Sequence, residues 1–242
     1  MTRIAGVIFD CDGTIVDSRD LIVPFYHWLF TQVGLPPIDT SDPVAYDIVL
    51  SRSDAEVFDH FVPDPADREK LWAFMRAFDF AEWVSHLKLE PHATDVLTAL
   101  RPHYRLAIAT NRGRDMDLLV RHFGFADYVD TVVCAADVTN PKPHPEMLLL
   151  AAERMGIAPR QLVYVGDTEV DGEAATAAGM HFVCYRRGAK PGTDSELRVR
   201  DDGGRRTTVA AGGNGGGCVA DLRRLPERLL ELQPGLTPPT AG

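Results

Sequence analysis

Asp10 and Asp12 close the apolar run Val7-Ile8-Phe9, and a Gly13-Thr14 turn follows them. Unpaired carboxylates at the rim of a core repel each other and resist desolvation, so such a pair calls for a neutralising cation. Oxygen ligands of this kind suit magnesium. A solvated turn after a first strand accounts for the same residues equally well. Three later clusters bear on the choice. Thr110-Asn111 follows the apolar run 106–109 and offers a hydroxyl and an amide to phosphate oxygens, or a cap to the next helix. Lys142 is framed by Pro141, Pro143 and Pro145, which fix the backbone so that an ammonium projects from a short, stiff loop. Asp167 ends the run 162–166, and Asp171 follows at a helix start, where a carboxylate also serves as a cap or dipole partner. Asp10 and Asp167 together supply hard oxygen ligands for Mg²⁺, with Asp171 binding the ion less directly or orienting water.

The elements that must hold these residues recur along the chain. Apolar, strand-like segments at 4–9, 106–109, 129–134, 162–165 and 182–185 alternate with helical patterns at 115–123, 145–155 and 169–178. That alternation predicts a parallel sheet covered by helices on both faces, with ligands at the carboxyl ends of the strands. Pro145 suits the first turn of its helix, and Gly156 and Gly179 suit helix stops. Residues 18–87 break the rhythm with apolar and aromatic residues at helical spacing, among them Phe25, Trp28, Leu71, Phe74 and Phe78. They read as a helical insert whose aromatics form a core rather than a base-stacking surface. Between 186 and 217 the apolar pattern collapses into charges and a Gly-rich run, which predicts a mobile loop without a phosphate-binding motif. A short edge strand at 218–220, a helix at 222–232 and a frayed tail from Pro234 complete the reading.

The 242 residues, 45% hydrophobic and 25% charged, provide for a sizeable core, and the formal charge of -10 gives no general field for nucleic acid or an anionic membrane. No apolar run is long enough to span a bilayer and no leader precedes the first strand, so the expected location is cytoplasmic. Cys11, Cys134, Cys184 and Cys218 lack zinc-site spacing and read as reduced thiols in or beside strands, with Cys11 set apart by its place between the two aspartates.

In order along the chain, Asp10-Cys11-Asp12-Gly13-Thr14, Thr110, Lys142 and the Gly166-Asp167 pair with Asp171 resemble the motifs of the haloacid-dehalogenase-like phosphatase superfamily. The likeness covers nearly the whole chain outside the Gly-rich segment. The helical insert, Asp17-Ser18 and Lys142-Pro143-His144-Pro145 are similar to the phosphoglycolate-phosphatase-like branch. This resemblance implies an α/β fold: a three-layer, Rossmann-like parallel-sheet core from residues 1–17 and 88–242, with an inserted all-helical cap at 18–87. It implies that Asp10 attacks phosphorus to form an aspartyl-phosphate, while Asp12 protonates the departing oxygen and then activates water. It also implies Mg²⁺ held by Asp10, the backbone carbonyl of Asp12 and Asp167, with Asp171 in support. Thr110, Lys142, Asn111 and the Gly13-Thr14 turn would bind the phosphoryl group. Arg52 and His60 are candidate anion contacts in the cap, with a surface role as the alternative. Arg112 stands where close relatives often carry lysine.

The implied activity is hydrolysis of a small phosphorylated metabolite, phosphoglycolate-like. True dehalogenases and phosphonoacetaldehyde hydrolases lack the second aspartate, so Asp12 counts against both. A sugar phosphomutase keeps both aspartates and the cap and stands as the enzyme alternative. A non-catalytic phosphate-binding or regulatory module is the other; loss of Asp10, Asp12, Lys142 or Asp167 would point to it, and all four are present. Monomer and homodimer both stay open.

Overall fold

A computed structural model describes residues 3–113, 115–188, 197–200, 206–209 and 218–233. In chain order the elements are β1 (Gly6–Phe9), β2 (Val16–Asp17), α1 (Arg19–Gln32), α2 (Pro43–Ser51), α3 (Asp54–Phe61), α4 (Pro65–Ala77), α5 (Ala81–His86), β3 (Lys88–Leu89), α6 (Ala93–Leu100), β4 (Arg105–Thr110), α7 (Met116–Phe123), β5 (Thr131–Cys134), α8 (Glu146–Met155), β6 (Leu162–Gly166), α9 (Glu169–Ala177), β7 (His181–Cys184), β8 (Leu197–Arg200), β9 (Arg206–Val209) and α10 (Leu225–Glu231).

Five of these strands form one parallel sheet in the order β5-β4-β1-β6-β7. Their near-continuous apolar character follows from burial on both faces. Because side chains alternate across a strand, Val7 and Phe9 point to one side and Ile8 to the other. On the first side they join Ile108 and Val165 under α6, α7 and α10 through Leu97, Leu119 and Leu225. On the second, Ile8, Ala107 and Tyr164 pack under α8 and α9 through Leu148, Ala151 and Ala174. The result is three layers. Since β1 lies between β4 and β6, with Phe9 in register with Ile108 and Val165, the tips carrying Asp10, Thr110 and Asp167 are neighbours.

The chain leaves the sheet through β2 and returns through β3, an antiparallel pair that closes the neck of the insert. Within the insert, Leu29, Phe30, Val57, Phe58 and Leu71 form a separate core. Phe58 meets Trp72 edge-on at 4.9 Å between ring centroids, as expected of packing aromatics. Its helices start on strong caps. Asp42 and Asp64 each precede a proline and accept a backbone N–H, and Ser53 forms a reciprocal capping box with Glu56.

Four expectations need correction. Cys184 and Cys218 are not reduced thiols but a disulfide, with Cα atoms 4.6 Å apart. The bridge between Tyr185 and Val219 sets the two cysteines side by side, a pairing hidden by 34 residues of separation. Inside the expected loop, β8 and β9 form an antiparallel pair, consistent with the alternation of Leu197 and Val199 with arginines and with the β-branched run Thr207-Thr208-Val209. The rest of the Gly-rich stretch and the tail from Pro234 lie outside the described residues. The edge strand expected at 218–220 reduces to the single Val219 bridge. Pro145 is the N-cap of α8, one position before the first turn.

Candidate active site

Tight turns aim the two strand-tip carboxylates. Gly13 has φ of +78°, and a Cβ there would lie 2.4 Å from Asp167 Oδ2, so only glycine lets this loop pass Asp167. Gly166 has the same role toward Asp171, whose Cγ would lie 2.5 Å from an added Cβ. Thr14 donates its hydroxyl to Asp167 Oδ1 at 3.2 Å. One carboxylate oxygen from each of Asp10, Asp167 and Asp171 lies within 4.8 Å of the others.

Lys142 crosses this cluster. Its Nζ donates to Asp10 Oδ1, Asp171 Oδ1 and the Tyr164 hydroxyl, each at 2.7 Å, which uses all three of its hydrogens. The Tyr164 hydroxyl also lies 2.9 Å from the Ala109 carbonyl, to which it can donate. Asp171 spends its other oxygen on the start of α9, accepting from the Thr168 hydroxyl at 2.6 Å and the Thr168 N–H at 3.0 Å. It is therefore both a capping-box residue and a partner of Lys142.

The electrostatics follow from crowding. Burial raises Asp10 to about 7, with Asp171 adding and Lys142 opposing. Burial also pushes Asp167 well above the usual carboxylate value, reinforced by Asp171 and Asp10. Burial works the same way on Asp171, but Lys142 and Thr168 outweigh it and hold that carboxyl low. The Lys142 ammonium, together with the Arg19 guanidinium 3.6 Å from Asp167, faces two buried carboxylates and one partly buried one. The carboxylates still outnumber the cations, and three hard oxygens at this separation fit a divalent cation such as Mg²⁺.

Asp12 stands apart from that triad. Arg112 grips it with both arms, Nε to Oδ2 at 2.9 Å and Nη2 to Oδ1 at 2.7 Å. The same guanidinium also pairs with Asp115. Burial alone would raise Asp12, yet Arg112 prevails and keeps it ionised. Asn111 ties the second and third clusters together: its side-chain oxygen accepts from Lys142 N at 2.9 Å, and its amide donates to the Lys142 carbonyl at 2.9 Å and to the Ser51 carbonyl of α2 at 3.1 Å. Thr110 is buried at the same strand edge, where its hydroxyl accepts from Arg112 N at 3.1 Å.

A cavity joins these residues to the insert, lined by Asp10, Asp12, Thr110, Asn111, Lys142 and Asp171 at one end. Arg52 also lines it but lies 3.3 Å from Glu56. His60 is exposed against Phe61 and does not line the cavity. His144 accepts from Glu146 N at 3.2 Å, a local role at the head of α8. Sequence reasoning passed over Tyr164, the hydroxyl in an otherwise apolar buried strand, and Arg19, which donates to the Gly13 carbonyl at 2.8 Å and lies 3.6 Å from Asp167. It also passed over Asp54, which accepts the Tyr26 hydroxyl at 2.6 Å and lines the same cavity.

Residues 7–185 match the family model for haloacid dehalogenase-like hydrolases. The chain belongs to that family. The phosphoglycolate phosphatase of Escherichia coli strain K12 is 33% identical over 220 residues, covering 82% of this chain and 87% of that protein. The phosphoglycolate phosphatase of Shigella boydii serotype 4 is 31% identical over a similar span. Among solved structures, a haloacid-dehalogenase-superfamily hydrolase of subfamily IA from Geobacter sulfurreducens PCA is 37% identical with a TM-score of 0.58, over 77% of this chain and 89% of that one. A phosphatase of the same superfamily from Thermococcus onnurineus matches 93% of this chain and 98% of its own length at TM-score 0.62 and 24% identity, a likeness of fold. The chain is thus a phosphatase of the phosphoglycolate-phosphatase-like branch, built as an α/β core with a helical cap. Among its described residues no helix is long and apolar enough to cross a membrane.

Proposed function

We propose that this phosphatase hydrolyses the phosphate monoester of a small metabolite by way of a phosphorylated Asp10, with Mg²⁺ held by Asp10, Asp167 and Asp171 and the backbone carbonyl of Asp12. The observation that carries the reading is the Lys142 ammonium lodged between Asp10 and Asp171 beside Asp167. When bound, the metal supplies positive charge that lets an anionic nucleophile approach an anionic phosphate. Residues 18–87 act as the cap and 1–17 with 88–242 as the core.

In the first step an Asp10 oxygen attacks phosphorus, the ester P–O bond breaks, and the departing oxygen takes a proton from Asp12. Asp12 then takes a proton from water, whose oxygen attacks the same phosphorus and releases inorganic phosphate and the Asp10 carboxylate. The ionised, Arg112-bound Asp12 of this conformation is the form the second step needs. Thr110, Asn111, Lys142 and the Gly13-Thr14 turn bind the transferring phosphoryl oxygens. Lys142 neutralises charge in both steps, and Asn111 holds its backbone in place. The Asn111 contact with Ser51 links the cap to the phosphate end, so cap closure and phosphate binding act on one residue. The names of the curated relatives make phosphoglycolate the reference substrate, and a cytoplasmic site of action suits a soluble metabolite.

Phosphate release from phosphoglycolate, sugar phosphates, nucleotides and pyrophosphate with and without Mg²⁺ tests the reading. Asp10→Asn keeps the shape and removes the nucleophile, so it is expected to lower turnover by at least about 10⁴-fold while leaving the circular dichroism spectrum intact. Full activity in that variant would refute the assignment. Interconversion of sugar phosphates without free phosphate would point to a mutase.

A further inference from the structure

The cavity does not end at the carboxylates. It continues into the cap, where Leu21, Ile22, Phe25, Met75, Phe80 and Trp83 form its far wall. The rings hold one another in place: Phe25 meets Trp83 edge-on at 5.2 Å and Phe80 at 5.9 Å between centroids. Such a partly exposed apolar surface rewards an apolar body that covers it, above all a flat one.

Its polar fringe is acidic. Asp54 and Asp115 both line the cavity beside Arg112. Burial raises Asp54 to about 6 against the Tyr26 hydrogen bond, with Asp115 adding to the rise. The described cations that line the cavity are already engaged: Arg112 by Asp12 and Asp115, Arg52 by Glu56, and Lys142 by Asp10 and Asp171. A carboxylate on the leaving group would lose its water against aromatic rings, face two like charges, and compete for guanidinium groups that already have partners.

We propose that the preferred substrate is the phosphate monoester of an uncharged, aryl-bearing alcohol, and that Asp54 with Asp115 disfavours carboxylated leaving groups such as glycolate. This rests on the phosphomonoesterase reading above and narrows it to a substrate class. The ring would seat on Phe25, Phe80 and Trp83, while the ester oxygen stays at Asp12.

Three esters separate body from charge: 2-phenylethyl phosphate, phosphoglycolate, and the phosphate ester of 3-phenyllactate, which carries both the ring and a carboxylate. In the unmodified enzyme with Mg²⁺, kcat/KM for 2-phenylethyl phosphate is expected to exceed that for phosphoglycolate by about 100-fold and that for the phenyllactate ester by about tenfold. Asp54→Asn, which keeps an acceptor for Tyr26, is expected to shrink the second ratio by raising the phenyllactate ester, mainly through KM. Phosphoglycolate as the best of the three, or equal rates for the two aryl esters, would overturn the proposal and leave the phosphatase reading standing. A second ratio unmoved in a folded Asp54→Asn protein would remove Asp54 from it. Phosphate release from none of the three, nor from the wider panel, would instead sink the phosphatase reading and this one with it.

Discussion

Lys142 is the residue on which the site closes. It has three donors and three acceptors, all buried, and two of the acceptors are carboxylates. Lys142→Met keeps the stem and removes the ammonium, leaving Asp10 and Asp171 uncompensated beside Asp167. The expected cost is on the order of 3 kcal/mol in denaturant unfolding without Mg²⁺, together with loss of turnover. An unchanged unfolding midpoint would show that the ammonium is not holding the carboxylates together. Arg112 sets the state of Asp12 in the same direct way. Its charge and paired hydrogen bonds keep that carboxyl below the ordinary value, and an acid must be protonated to serve the leaving oxygen. Arg112→Gln takes away the charge, so the Asp12 pKa rises and the alkaline limb of kcat/KM moves to higher pH. A limb that stays put or moves lower in the pH–rate profile would separate Asp12 from the acid role. The sequence marked Asp12 and flagged Arg112 as unusual, but nothing in it joined two residues 100 positions apart into one ion pair.

The core strands were legible because parallel strands covered on both faces are apolar nearly throughout, and three of the five runs led straight into Asp10, Thr110 and Asp167. The insert was legible from helical spacing and its prolines, two of which open α2 and α4. What was not legible depended on contacts across the chain. The β8–β9 pair is short and flanked by glycines and charges, so its alternation carried little weight. The Cys184–Cys218 bond needed the Tyr185–Val219 bridge before it could be seen. The cap wall was visible only as a set of aromatics, and which of them faced the cavity was set by α1, α4 and α5 together. At this scale the turn after β1 makes a sharp prediction. Gly13→Ala meets both a left-handed backbone, costing about 1–2 kcal/mol, and Asp167 itself. The thermal midpoint should fall and Mg²⁺ affinity by calorimetry should weaken more than in an alanine variant of Gly156, where an added Cβ has open space. Equal losses at the two positions would mean that Gly13 matters for conformation alone.

For the molecule as a whole, the crowded carboxylates tie stability to pH and metal. Asp10 is raised to about 7 in the folded chain from an ordinary 3.8, and Asp167 is raised as well. The folded state therefore holds protons that the unfolded state has released, so this contribution to stability is lost as pH climbs from about 4 to about 7. Mg²⁺ replaces those protons. Its stabilising increment in thermal unfolding is expected to grow from pH 5 to pH 8, and its binding near neutral pH to release protons, seen as buffer-dependent heats. An increment that shrinks with pH would contradict the crowding.

The claim that Asp10 itself accepts the phosphoryl group is tested most directly by rapid quenching during turnover, followed by peptide mass analysis under acid conditions. A phosphoryl adduct on the peptide containing Asp10, absent from Asp10→Asn, is the predicted result. Steady turnover with the adduct on another residue, or with an unmodified Asp10 peptide at every quench time, would contradict it.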